Sequence, residues 1–200
     1  MTQQIFWNKK FKKDEMFYGE KPNQFIKLKS ELLTAKSEVL CLGEGEGRNA
    51  IFLAKKGHKV IAFDTSDIGL AKLEINSKEE NLDIKTKCFD LKDWNDDFKY
   101  QNIIASYLHL EEPLRNQVFQ KIYNKLLPNG YFIAEFFSKS QINYSSGGPK
   151  NIELLYDKES FNLVFPKSSI IYLEQEEIEL SEGIGHNGLA SVIRVIVLKK

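Results

Sequence analysis

The sequence predicts an α/β protein: one seven-stranded, mostly parallel sheet with helices on both faces and an antiparallel hairpin at its C-terminal end. Three observations predict it. Short apolar runs alternate with amphipathic segments from Glu38 to Phe137, the rhythm of right-handed βαβ units. The first apolar run feeds directly into Gly43-Glu44-Gly45-Glu46-Gly47. After Phe137 the rhythm changes, and two long runs follow one another across a glycine-containing loop.

Glu38 to Leu42 is the first buried strand, and Gly47 to Lys56 reads as a helix with Ala50, Ile51, Leu53 and Ala54 inward, stopped by Gly57. Lys59 to Phe63 is the second strand. Ser66 then caps a helix predicted to turn Ile68, Ala71 and Ile75 inward. Ile84 to Phe89 and Asn102 to Tyr107 are strands three and four. Leu114, Val118, Ile122 and Leu126 mark a helical stripe that ends in a turn at Pro128-Asn129-Gly130. Tyr131 to Phe137 is the fifth strand, followed by a Ser/Gly-rich loop from Ser138 to Pro149 and a weak helix from Asp157 to Val164. Ser169 to Leu180 and Leu189 to Lys199 form the hairpin, joined by a loop from Glu182 to Gly188.

All 200 residues fit one domain. Lysine plus arginine balances aspartate plus glutamate at 28 each, so no global charge recruits nucleic acid or an anionic membrane. The run Lys9, Lys10, Lys12 and Lys13, interleaved with Phe6, Trp7 and Phe11, reads as a solvated helix face. Cys41 and Cys88 end apolar runs without metal or redox spacing and read as small core residues. No secretory leader or membrane-length apolar stretch is evident, so a cytoplasmic protein is expected, monomeric or weakly dimeric, with no metal.

The chemistry concentrates at three consecutive strand ends. Glycines after the first strand permit a tight turn and close approach of a ligand, with a helix N-terminus behind them. Asp64 ends the second strand, where a carboxylate can accept ribose hydroxyls. Asp90, in Cys88-Phe89-Asp90-Leu91, can accept from an adenine amino group. The pattern Gly45-Glu46-Gly47-Arg48-Asn49-Ala50 also satisfies a nicotinamide-dinucleotide fingerprint. Glu44 and Glu46 weigh against it, because they would repel a pyrophosphate and attract the sulfonium and ammonium of S-adenosylmethionine (SAM).

Val39 to Ala54, with Ala62 to Ser66 and Gly69 to Lys72, resembles the class I SAM-dependent methyltransferases, and in particular their bacterial tellurite-resistance/thiopurine-methyltransferase-like branch. Phe6-Trp7-Asn8, Tyr18-Gly19, Pro22-Asn23 and Phe25 resemble the N-terminal segment of that branch. Gly147-Gly148-Pro149 resembles the loop after its fifth strand, and His186-Asn187-Gly188 its hairpin tip. The resemblance implies a Rossmann-like methyltransferase fold, residues 1–30 as a lid, SAM as cofactor and S-adenosylhomocysteine as product. The implied cofactor contacts are Gly43, Glu44, Gly45, Gly47, Arg48, Asn49, Asp64, Thr65, Asp90, Leu91 and Tyr107. Many members of the wider family have an acidic residue where this chain has Cys41 and a small one where it has Glu44. The acidic residue there holds the methionine end, a task that passes to Glu44 or Glu46.

A small-molecule acceptor is expected at the carboxyl edge of the sheet, near Trp7, Tyr18, Tyr144 and His186. His58, after Gly57, reads as a surface residue. His109 reads either as a core histidine or as the catalytic base, with an ordinary pKa near roughly 6.5. His186 reads either as an exposed loop residue or as part of the site. Arg48 and Asn49 read as orienting the cofactor carboxylate, or as surface groups. Strand four continues into Ser106-Tyr107-Leu108-His109 rather than an Asn/Asp-Pro-Pro-aromatic tetrapeptide, which argues against methylation of nucleobase amines. The resemblance suggests a thiol, selenium or tellurium nucleophile. The rival readings are an NAD-dependent oxidoreductase and a SAM-binding protein without catalysis.

Overall fold

The computed structural model describes residues 2–200. Its elements run α1 (Gln3–Phe11), α2 (Gln24–Lys29), β1 (Glu38–Leu42), α3 (Arg48–Lys55), β2 (Lys59–Asp64), α4 (Asp67–Glu79), β3 (Ile84–Cys88), β4 (Tyr100–Ser106), α5 (Leu114–Lys125), β5 (Leu126–Phe137), α6 (Glu159–Asn162), β6 (Ile170–Glu182) and β7 (His186–Leu198), with short 3₁₀ turns between some of them. The strands form one seven-stranded sheet in the order β3-β2-β1-β4-β5-β7-β6. β1 to β5 are parallel, and β7 enters antiparallel between β5 and β6. The expected α/β architecture, a mostly parallel sheet with a C-terminal antiparallel hairpin and helices on both faces, is present.

Strand periodicity divides the core into two layers. Leu40 and Leu42, Ile103 and Ala105, and Phe132, Ala134 and Phe136 face α5 and α6 with Trp94 and Phe119. The alternating Val39, Cys41, Ile104 and Ile133 face α2, α3 and α4. The edge strands carry charge outward, Lys85 and Lys87 on β3 and Glu174, Glu176, Glu177 and Glu179 on β6, which discourages edge-to-edge pairing.

Several local expectations are corrected. α4 starts at the Ser66 cap, but its buried stripe is Gly69, Leu70, Leu73 and Ser77; Ala71 and Ile75 face solvent. Gly69 sets the rotation: a Cβ there would stand 3.0 Å from the Gly45 backbone, so only this helix face fits over the glycine loop. Pro128-Asn129-Gly130 is a bulge inside β5 rather than a turn before it, because pairing with β4 resumes at Asn102–Tyr131 after Tyr100–Leu126. The hairpin pairs as far as Glu182–His186, leaving only Gly183 to Gly185 as the loop. His58 is buried, its Nδ1 3.2 Å from Ser37 Oγ. Cys88 is exposed at the strand edge, whereas Cys41 is buried. Lys10 turns inward, its Nζ 5.0–5.9 Å from the ring centroids of Phe6, Trp7, Phe17 and Tyr18, so only its neighbours form a solvated face.

Candidate active site

The loop between β1 and α3 is built by alternating left-handed glycines, with φ of 63°, 59° and 92° at Gly43, Gly45 and Gly47. Gly47 also permits a close approach, since a Cβ there would lie 2.2 Å from the Leu73 side chain. Asp64 fastens the loop to β2. Its Oδ2 accepts from the Gly45 N–H (2.8 Å) and its Oδ1 from the Ser66 N–H (2.7 Å). Burial nonetheless pushes the carboxyl up to about 6, the two backbone donors opposing the rise.

Glu44 turns back onto α3. Its Oε1 accepts from the N–H groups of Asn49 (2.9 Å) and Ala50 (2.7 Å), so a carboxylate caps the first turn of the helix. Burial pushes it up to about 7, with the two amides and Arg48 opposing. Cys41 lies in the core layer, its thiol driven well above the ordinary value by burial. Glu46 is occupied elsewhere: Lys72 Nζ is 2.6 Å from Oε1, and the Phe17 N–H donates to Oε2 at 2.7 Å. Of the two acids expected to serve the methionine end, Glu44 is therefore the one without a side-chain cation bonded to it among the described residues.

Arg48 and Asn49 are buried rather than surface groups. Arg48 is buried, 3.0 Å from Glu182 Oε2, and its Nη1 donates to the Tyr18 carbonyl at 3.3 Å. Asn49 accepts from the Asn23 N–H (2.9 Å) and donates to Ser106 Oγ (2.9 Å). Both side chains hold the N-terminal segment and strand ends in place.

These groups border a cavity of about 420 Å³ at the carboxyl edge of the sheet. Gly43, Glu44, Gly45, Gly47, Arg48, Asn49, Asp64, Thr65, Asp90, Leu91 and Tyr107 all line it, as do Trp7, Tyr18, His109 and His186. Asp90 Oδ1 accepts from the Lys92 N–H at 3.1 Å. The N-terminal segment covers one side. The Trp7 ring lies 6.1 Å from that of His109 at an interplanar angle of 13°, and Tyr18 packs 4.4 Å from His186. The hairpin tip clasps this segment through a Gly185 N–H bond to the Phe17 carbonyl, 3.1 Å.

Tyr144 is not brought to the site. It is absent from the cavity wall, and its hydroxyl donates to Glu177 Oε1 at 2.5 Å on the outer strand β6, beyond β7 from the cavity. His109 does not keep an ordinary imidazole pKa: burial, with His186 and Lys10 nearby, pushes it down to about 3. Its Nδ1 is buried without a hydrogen-bond partner among the described residues. His186 is buried, with Nδ1 3.1 Å from Glu182 Oε2. Burial lowers its pKa although Glu182 opposes the shift.

The sequence reading missed Glu135 and named Asn23 only as part of the N-terminal segment, not as a site residue. Glu135, 1% exposed, accepts at Oε1 from Tyr107 Oη and Asn23 Nδ2, both 2.6 Å, and pairs through Oε2 with Arg194 Nε at 2.6 Å. The signal was present: a glutamate inside the apolar run of β5 and an arginine inside that of β7.

Residues 10–140 match the family model described as "Tellurite resistance protein TehB". The chain is 32% identical over 73 residues to a probable S-adenosyl-L-methionine-dependent methyltransferase TehB of Haemophilus influenzae (strain 10810), a match covering 36% of this chain and 26% of that one. The matched stretch thus spans about a quarter of that relative's length. Among solved structures, TehB from H. influenzae superposes with a TM-score of 0.71 at 18% identity, covering 98% of this chain and 67% of the other. The N-methyltransferase NodS from Bradyrhizobium japonicum WM9, solved with S-adenosylhomocysteine, gives 0.72 at 11% identity over 98% and 97%. At these identities the structures show a common fold. With the family model matching well over half its length, the chain belongs to the TehB tellurite-resistance family.

Proposed function

We propose that the chain is a SAM-dependent methyltransferase that acts on a small soft nucleophile, a thiol or an oxyanion of selenium or tellurium. The observation that carries the cofactor reading is the pair of buried carboxylates, Glu44 and Asp64. Both line the cavity beside the glycine loop, and neither is bonded to a side-chain cation among the described residues. Burial without a cation is costly, and a ligand bearing positive charge and ribose hydroxyls relieves it. A pyrophosphate beside Glu44 and Glu46 would worsen it, which disfavours the dinucleotide alternative.

The residues fit SAM in the following roles. The backbone of Gly43 to Gly47 gives room for close approach. Asp64, with Thr65 beside it, accepts the ribose hydroxyls through the lone pairs its backbone donors leave free. Asp90 and Leu91 border the adenine, Glu44 attracts the ammonium, and Tyr107 closes the wall behind it. SAM supplies an electrophilic methyl group already activated by its sulfonium.

What remains for the chain is to hold the acceptor in line and keep water out, which in favourable systems lowers a barrier by roughly 7–11 kcal/mol. Trp7, Tyr18 and His186 form the wall for this, and residues 1–30 act as the lid. Burial lowers the imidazoles of both His109 and His186, which makes each a weaker base than a free histidine. An acceptor that arrives as an anion, a thiolate or a chalcogen oxyanion, needs no base. No described helix is long and apolar enough to cross a membrane.

The test is mass-spectrometric detection of S-adenosylhomocysteine after incubation with SAM and one of tellurite, selenite, dithiothreitol or a primary amine. Product with at least one of the first three, and none with the amine, supports the reading. SAM binding without product from any acceptor would leave a SAM-binding protein without catalysis.

A further inference from the structure

We infer that Glu135 is a positioning residue, the junction at which the lid and the acceptor wall are held in a single arrangement. The inference rests on reading this cavity as a methyl-acceptor pocket.

A carboxylate in the middle of a buried strand is unfavourable unless every oxygen is satisfied. The ion pair with Arg194 alone would satisfy one oxygen of Glu135: the two residues face each other in register across β5 and β7, and Arg194 continues to Glu176 Oε2 at 2.6 Å. The other oxygen reaches two places that no sheet contact requires, Tyr107 and Asn23.

Tyr107 follows β4 with a φ of +50°, a left-handed backbone that a residue with a large side chain rarely adopts. Glu135 holds it at both ends. The Tyr107 N–H donates to the Glu135 carbonyl at 2.8 Å, while the Tyr107 hydroxyl donates to the Glu135 carboxylate at 2.6 Å. Strain of this kind persists only where the surroundings over-determine it. It sends the chain sharply off the strand, so that Leu108 and His109 become cavity wall, and it sets the Tyr107 ring 4.3 Å from His186.

Asn23 brings the lid to the same carboxylate. It lies four residues after Gly19, caps α2 through the Ile26 N–H, and donates its own N–H to Asn49. Its amide nitrogen then spans Glu135 Oε1 at 2.6 Å and Glu182 Oε1 at 3.3 Å. The glycine loop and Asp64 have no bond to Glu135 among the described residues. Loss of the carboxylate should therefore loosen wall and lid together and leave the glycine loop and Asp64 in place.

Hydrogen exchange read by mass spectrometry on the full chain tests this, with and without S-adenosylhomocysteine. Glu135→Gln is expected to raise exchange about tenfold in both Phe17–Asn23 and Tyr107–Leu110 and to leave Gly43–Ala50 unchanged. Asn23→Ala, which spares the Glu135–Arg194 pair, should also raise exchange at Tyr107–Leu110, through the shared carboxylate and through the direct contact of its Nδ2 with Tyr107 Oη at 3.5 Å. If Glu135→Gln does not fold, Glu135→Asp, which keeps the charge opposite Arg194 but shortens the reach to Tyr107 and Asn23, is expected to give the same rise in both segments. Exchange that rises only in β5 and β7, in one of the two segments alone, or nowhere, would overturn the inference. Exchange in the ligand-free protein needs no acceptor, so a failure to find methyl transfer is read separately.

Discussion

Glu44 and Asp64 make the cofactor side of the cavity pH-sensitive. Both carboxyls are raised in the folded state, to about 7 and about 6, chiefly by burial. Protons bound by the folded but not the unfolded chain favour folding, so the ligand-free protein should lose stability as pH rises from about 4 to 7. A cationic ligand favours the ionised carboxylates and should reverse that trend. SAM affinity is expected to rise about tenfold from pH 6 to pH 8, with proton release measured by calorimetry in buffers of different ionisation enthalpy; flat affinity and no proton release would contradict these assignments. Asp64→Ala should weaken SAM by roughly 1.5–3 kcal/mol, the range for a charged hydrogen-bond acceptor, while leaving the fold intact by circular dichroism. His109 makes a different prediction. With its imidazole held near 3, the turnover profile should carry no inflection between pH 5 and 8 that His109→Ala abolishes, and that variant should lower turnover while sparing SAM affinity. An inflection lost in the variant would restore His109 as a base.

At the scale of elements, the hairpin tip is the clasp for the N-terminal segment. A Cβ at Gly185 would lie 2.4 Å from the Tyr18 ring and 2.5 Å from the Phe17 ring. Gly185→Val is expected to free this segment, so that limited trypsin cleavage near Lys12, Lys13 and Lys21 accelerates several-fold while the melting temperature of the sheet changes little; an unchanged cleavage rate would show that the clasp is not needed. Elements defined by local pattern were legible in the sequence. The strand runs of β1, β2 and β4, the Ser66 cap and the glycine loop each depend on neighbours within a few residues. Features set by distant partners were not. The rotation of α4 depends on how Gly69 meets Gly45, and the β5 bulge depends on Gly130 meeting Gln101. The tight hairpin is set by register between strands, which no single run displays.

Across the whole molecule, the same division separates the two halves of the cavity. The proposed cofactor side hangs on consecutive strand ends, so its eleven expected residues could be grouped from sequence, and all of them line the cavity. The acceptor side draws on α1, β4, β5 and the hairpin, residues far apart in the chain, as in the Tyr18–His186 contact. Tyr144 was therefore misplaced and Glu135 overlooked. SAM as the proposed cofactor is the claim on which the rest depends. Isothermal titration of SAM, S-adenosylhomocysteine and NADH into the wild-type chain tests it most directly. Saturable one-to-one binding of both sulfur ligands, with no heat from NADH, is the expected result. Binding of NADH with neither sulfur ligand would contradict it.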